Sequence, residues 1–101
     1  MADFYVYILR CSDGSYYTGH TDDIDFRISQ HETGAIATCY TYTRRPVEVV
    51  YVYTFSDRSE AFAMERRIKG WSRKKKEALM SENYQLLIYL SNAKRYDKNK
   101  I

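Results

Sequence analysis

Two runs of strand-forming residues, Phe4–Cys11 (FYVYILRC) and Tyr16–Gly19 (YYTG), flank Ser12-Asp13-Gly14-Ser15. β-branched and aromatic side chains favour pleated backbone, and Asp-Gly supplies the positive-φ positions of a tight reversal. The chain therefore opens as a β-hairpin. Strand alternation sends Tyr5 and Tyr7 to one face, and the loop decides whether Tyr17 joins them. A loop with an even number of residues puts Tyr7 and Tyr17 on opposite faces, and an odd number puts them on the same one.

The next segment carries a helix. Thr21 offers a hydroxyl cap, Asp22 and Asp23 complement the helix dipole, and Gly34 is a natural stop, which predicts a helix over 22–33. Ile24, Arg27, Ile28 and His31 recur at i, i+3, i+4 and i+7 and share one face. A guanidinium in an inward stripe needs acceptors or an anion. Either its stem covers apolar surface while its head returns to solvent, or this face lines a cleft that receives a negative group.

The only proline, Pro46, precedes Val47–Phe55 (VEVVYVYTF), a run that reads as a buried strand and the best shielded of the sheet. Asp57 and Glu60 have the spacing of a capping box, and Ala61, Met64, Ile68 and Trp71 form the apolar stripe of the helix that follows. Glu65 lies at the edge of that stripe, either pairing with Lys69 on the surface or facing a cleft where it suits a hydrated Mg²⁺ ion. Gly70 weakens the helix end. Ser72 caps a further short helix through Met80, whose first turn holds Arg73-Lys74-Lys75-Lys76, cations that oppose the helix dipole unless an anion is near. Asn83–Asn92 has the Leu, Ile and Tyr to pack back on the core, and Ala93–Ile101 reads as a polar, frayed tail. The expected order is β-β-α-β-α-α, an α+β fold with a small three-stranded antiparallel sheet flanked by helices. One domain is expected over 1–82, with 83–101 as a C-terminal extension.

Charge narrows the partners. The 101 residues carry 16 Lys+Arg against 13 Asp+Glu, a formal +3. Residues 58–79 hold eight of the bases and three of the acids, so this window sums to +5 and the rest of the chain to −2. Such a window attracts phosphate backbones, or it is a solvated helix face. Cys11 and Cys39 are too few for a disulfide framework or a metal quartet and read as free thiols. No apolar run approaches a membrane span and no signal peptide is seen, so a soluble, cytoplasmic protein without a membrane partner is expected.

Taken together, Tyr5-Val6-Tyr7, Tyr17-Thr18-Gly19, Arg27 and His31 four apart, and the later helical Glu65 resemble the signature of the GIY-YIG nuclease superfamily. The runs YVYILRCSDGSYYTG, Arg44-Arg45-Pro46-Val47 and MERRIKGWSRKKKEAL look like its small, single-domain bacterial branch, and the likeness stops near Met80. Tyr5 stands where the first triplet has Gly, and Thr18 where the second has Ile. The Asn that many relatives carry after the Glu has no clear counterpart, Asn83 included.

The resemblance implies a metal-dependent endonuclease acting on DNA. Glu65 would hold a single Mg²⁺ or Mn²⁺ against the scissile phosphate. Tyr7 would act as general base or proton relay, its pKa lowered by nearby cationic charge. His31 would accept or orient that proton, Arg27 would donate to a phosphate oxygen, Tyr17 would position water or phosphate, and Gly19 would be structural. Arg44, Arg45, Arg66, Lys69, Arg73, Lys74, Lys75 and Lys76 would track the nucleic-acid backbone. With no appended recognition module in sight, weak sequence specificity and single-stranded or branched DNA are expected, in repair, recombination or DNA uptake. The alternatives are a non-catalytic nucleic-acid-binding module on the same fold and an interaction protein whose basic window docks an acidic partner.

Overall fold

Turn chemistry sets the register of the hairpin. Strands β1 (Phe4–Arg10) and β2 (Tyr16–Thr21) run antiparallel. Residues 11–15 join them, with Gly14 at φ 85° and the Asp13 carboxylate accepting the Ser15 backbone N–H at 3.0 Å. The loop is odd-numbered, so Tyr7 pairs with Gly19 and Leu9 with Tyr17. Tyr7 and Tyr17 therefore share a face. The computed structural model describes residues 3–99, with side chains described from residue 3 to residue 91.

Strand β3 (Glu48–Phe55) adds to the other side of β1, also antiparallel, giving the order β2-β1-β3. This order overturns the expectation that Val47–Phe55 is the best-shielded strand. The centre belongs to β1, where Val6, Tyr7, Ile8 and Leu9 are completely buried, whereas Val49, Val52 and Tyr53 of β3 are exposed. An apolar run specifies a strand but not its rank in the sheet. Shielding follows from having a neighbour on each edge and helices over the faces, and β3 has a neighbour on one edge only.

Helix α1 (Ile24–Thr33) starts two residues later than expected because Asp23, not Thr21, is its cap: the carboxylate accepts from Phe26 N–H at 3.1 Å. Thr21 instead accepts the Asp23 N–H at 3.1 Å, turning the chain out of β2. Gly34 ends the helix at φ 71°, as expected. A single 3-10 turn, Tyr42–Arg44, leads into β3.

Helix α2 (Arg58–Lys69) follows Asp57, whose carboxylate accepts from Ser59 N–H at 2.9 Å, and it packs across all three strands. Its buried positions are Ala61, Glu65 and Ile68, with Met64 half-buried. Trp71 lies beyond its end. The apolar stripe thus stops at Ile68, and a carboxylate sits inside it.

The chain divides into two compact units, Met1–Lys69 and Gly70–Ile101. The first holds the sheet, α1 and α2. Within the second, Ser72 caps α3 (Arg73–Met80) by accepting Lys75 N–H at 3.2 Å, and α3 packs with α4 (Tyr84–Asn99). The apolar segment after Asn83 is therefore a helix, and it continues to Asn99 through residues expected to fray. Lys100 and Ile101, the end of that tail, lie outside the described residues. The order is β-β-α-β-α-α-α, an α+β fold as expected with one further helix. Among the described residues no helix is long and apolar enough to cross a membrane, and both cysteines are free thiols.

Candidate active site

The Tyr7 ring crosses its neighbour strand at the one residue that lets it pass. A Cβ on Gly19 would stand 2.5 Å from the Tyr7 hydroxyl and 2.6 Å from Cζ. Glycine is required there by close approach rather than by φ. Having crossed, the hydroxyl meets Nε2 of His31 at 2.9 Å. Nδ1 of the same imidazole lies 2.7 Å from the hydroxyl of buried Thr41 and 3.6 Å from the Cys39 sulfur.

Burial, reinforced by the Arg27 charge, pushes the His31 pKa down to about 4. At neutral pH the ring is uncharged and carries one N–H. Thr41 donates to Cys39 Sγ at 3.5 Å, so its oxygen is left to accept from His31. That network assigns the proton to Nδ1 and makes Nε2 the acceptor of the Tyr7 hydroxyl. A directed chain results: Tyr7 to His31 to Thr41 to Cys39.

Tyr17 and Arg27 complete this cluster. The Tyr17 ring centroid lies 6.3 Å from that of Tyr7 and 5.0 Å from that of His31, and Tyr40 stacks on it at 6.1 Å with planes inclined by 21°. Burial alone would lower the pKa of Arg27, but the two phenols outweigh it and raise it, so the cation is secure. Its guanidinium also donates to Gln30 at 3.1 Å. The inward face anticipated for α1 is thus real.

One electrostatic expectation fails. Tyr7 was expected to have its pKa lowered by cationic charge, but burial raises it, Tyr17 raises it further, and the opposing pull of Arg27 is smaller. A phenol completely removed from water loses more ion solvation than one half-buried arginine returns. In the free protein Tyr7 holds its proton.

Glu65 sits on α2, 7% exposed. Burial would raise its pKa, yet hydrogen bonds from His20 and Lys69, with the Lys69 charge, bring it below the ordinary carboxylate range. His20 Nδ1 lies 2.5 Å from one carboxylate oxygen and Lys69 Nζ 3.1 Å from the other. The Lys69 ammonium also lies 6.0 Å from the centroid of the Tyr17 ring. The carboxylate is ionised and held in place.

The proposed phosphate-binding bases are differently placed. Arg44 stacks on Tyr40 at 3.8 Å and bonds to Asp13 at 3.2 Å, and Arg45 lies over Tyr42 at 5.0 Å. Arg66 lies 5.6 Å over the exposed Phe62 ring. Arg73, Lys74, Lys75 and Lys76 belong to the second unit, where Arg73 pairs with Glu77 at 3.1 Å and Lys75 lies 4.5 Å over Trp71. Burial, with the Arg73 charge, lowers the Lys76 pKa.

Sequence reasoning missed four residues: His20, Cys39, Tyr40 and Thr41. His20 had a signal, since it follows the Tyr-x-Gly triplet and strand alternation turns it away from Tyr17, towards the face that α2 covers. Cys39, Tyr40 and Thr41 lie between elements, where no periodicity points anywhere.

The family described as the GIY-YIG catalytic domain matches residues 3–78. The chain belongs to the GIY-YIG family. A UPF0213 protein of Staphylococcus saprophyticus is 49% identical over 82 residues, 81% of this chain and 99% of that one. The solution structure of a UPF0213 protein from Bacillus halodurans is similar at a TM-score of 0.52 and 46% identity, covering 78% of this chain and 83% of the other. A solution structure from E. faecalis gives a TM-score of 0.58 at 32% identity, with 84% and 90% covered.

Each GIY-YIG motif position falls on the element expected for it: the two triplets on β1 and β2, Arg27 and His31 on α1, and Glu65 on α2. Thr18, in place of the motif Ile, is buried, and its hydroxyl is the one buried side-chain polar atom among the described residues that lacks a partner. Asn83 accepts Leu86 N–H at 3.1 Å at the head of α4, which is the work of a helix cap. GIY-YIG membership places the chain in a nuclease family and supports a nucleic-acid substrate.

GIY-YIG nucleases generally use a divalent metal, and the donors here fit one. A hydrated Mg²⁺ or Mn²⁺ ion needs one or two carboxylate oxygens and fills its other positions with water and phosphate oxygens. Glu65 is an ionised carboxylate of that kind. No group of three or more His, Cys, Asp and Glu side chains converges among the described residues, so a caged structural metal does not fit.

Proposed function

We propose that this chain is a metal-dependent endonuclease that hydrolyses DNA phosphodiester bonds, preferring single-stranded or branched DNA to plain duplex and showing weak sequence specificity. The observation that supports it best is the Tyr7–His31 contact, in which a buried phenol donates to a neutral imidazole beside a secure arginine. A structural core has no use for a guanidinium held near two phenols, whereas a phosphate does. The setting is a cytoplasmic one, in repair, recombination or DNA uptake.

In this reading Arg27 donates to a non-bridging phosphate oxygen. Tyr17, half-buried at the rim of the cluster, orients the phosphate or the attacking water. The Tyr7 oxygen takes a proton from that water as its own proton passes to Nε2 of His31, and Thr41 keeps the ring aligned throughout. Burial holds the His31 pKa down and the Arg27 charge adds to it; a phosphate beside Arg27 offsets that second, smaller part and so favours proton transfer to the ring. Glu65 would hold the divalent ion, which when bound would supply positive charge to the reacting phosphate. Arg44, Arg45, Arg66, Lys69 and the Arg73–Lys76 group make binding sensitive to salt.

The test is incubation of purified protein with labelled single-stranded, duplex and forked DNA, and with single-stranded RNA, in Mg²⁺, Mn²⁺ or EDTA. Cutting that requires a divalent ion and favours single-stranded or forked DNA supports the reading. Binding without cutting of any substrate would return the domain to a binding role.

A further inference from the structure

The carboxylate expected to hold an ion alone has an imidazole on the same oxygen. His20 approaches from β2 and Glu65 from α2, with Nδ1 and Oε1 2.5 Å apart. Three features hold this pair. Glu65 is buried, Lys69 anchors its second oxygen at 3.1 Å, and the His20 ring lies 5.3 Å from Phe62 with planes inclined by 57°. His20 remains a quarter exposed, its side chain at 26% of full accessibility, so the pair is reachable from solvent.

Two adjacent ligands of an octahedral ion, each about 2.1 Å from the metal, are about 3 Å apart. The nitrogen and the oxygen thus need to separate by only a few tenths of an ångström to share one ion. We propose that His20 is a second protein ligand of the divalent ion held by Glu65, and that this nitrogen makes the site take Mn²⁺ or Zn²⁺ in preference to Mg²⁺. Imidazole suits the borderline transition ions, whereas Mg²⁺ favours all-oxygen surroundings. Two protein donors leave the other positions to water and phosphate oxygens. This inference rests on the reading of Glu65 as the metal-holding residue.

The experiment reads metal binding on the full chain without nucleic acid. Mn²⁺ is titrated into wild type, His20→Gln and Glu65→Gln, binding is followed by loss of the free-ion EPR signal, and Mg²⁺ is added as competitor. The wild type is expected to prefer Mn²⁺ over Mg²⁺ by about tenfold or more, and His20→Gln to lose about tenfold in Mn²⁺ affinity while Mg²⁺ affinity stays within about twofold. Glu65→Gln is expected to lose both. Imidazole ¹⁵N spectra of the wild type with Zn²⁺ give a second readout that no variant's folding can confuse: His20 Nδ1 shifts on coordination. Unchanged Mn²⁺ affinity in His20→Gln, or an unshifted Nδ1 under saturating Zn²⁺, overturns the proposal. Mn²⁺ held by both residues in a chain that cuts no substrate would instead overturn the nuclease reading and leave this one standing.

Discussion

The hydroxyl of Tyr7 lies 2.9 Å from Nε2 of His31, 24 positions away in sequence. The contact joins the central strand to the first helix across the bare backbone of Gly19. Its polarity is set from the far side, because the Thr41 oxygen accepts a hydrogen bond from Nδ1–H and leaves Nε2 to accept from Tyr7.

The buried neutral state of His31 has a pH signature. Its folded pKa is depressed from 6.5 to about 4, so the unfolded chain binds a proton over a range where the folded chain does not. The resulting stability is complete above pH 6.5 and is lost as pH falls towards 4. Urea unfolding between pH 7.5 and 4 should show wild type losing about 3 kcal/mol more than His31→Gln across that window. Parallel losses in the two proteins would mean that His31 is already charged when folded.

Gly19→Ala tests the crossing point. The added methyl would stand within 2.6 Å of Tyr7 Oη and Cζ, so the ring must move off His31 or the strands must part. Overpacking of this kind costs about 1–3 kcal/mol, and a lower melting temperature together with lost cleavage is expected. The same substitution at Gly14, where no atom lies within 4 Å, would strain a positive φ but leave the tyrosine cluster alone.

Thr41→Val removes the acceptor of His31 Nδ1 and keeps the side-chain shape. The buried N–H left behind costs about 1–3 kcal/mol. Cleavage should fall by about tenfold or more with substrate affinity little changed, because Thr41 orients the proton acceptor and touches no phosphate. Equal loss in affinity and rate would show that the loop around Thr41 binds substrate directly.

Sequence gave access to this site unevenly. Helix periodicity puts Arg27 and His31 on one face, but it is the resemblance to the GIY-YIG nucleases that singles them out with Tyr7 and Tyr17, and only the five-residue loop at 11–15 puts both tyrosines on one face. The shielding of β1 rather than β3 was out of reach, since strand composition does not record which strand gains two neighbours. The rise in the Tyr7 pKa is out of reach for a related reason: nearby charge is visible in a sequence, but depth of burial is a property of packing. The partnership of His20 with Glu65 spans 45 positions and follows no period at all.

The most direct test of the central claim is single-turnover cleavage of labelled single-stranded and forked DNA by wild type, Tyr7→Phe and Glu65→Ala, each in Mn²⁺ and in EDTA. The account predicts metal-dependent cutting by wild type, cutting slower by about a hundredfold or more in Tyr7→Phe with its fold and DNA binding retained, and no cutting by Glu65→Ala. Cutting by Tyr7→Phe at the wild-type rate, or cutting that persists in EDTA, would contradict it.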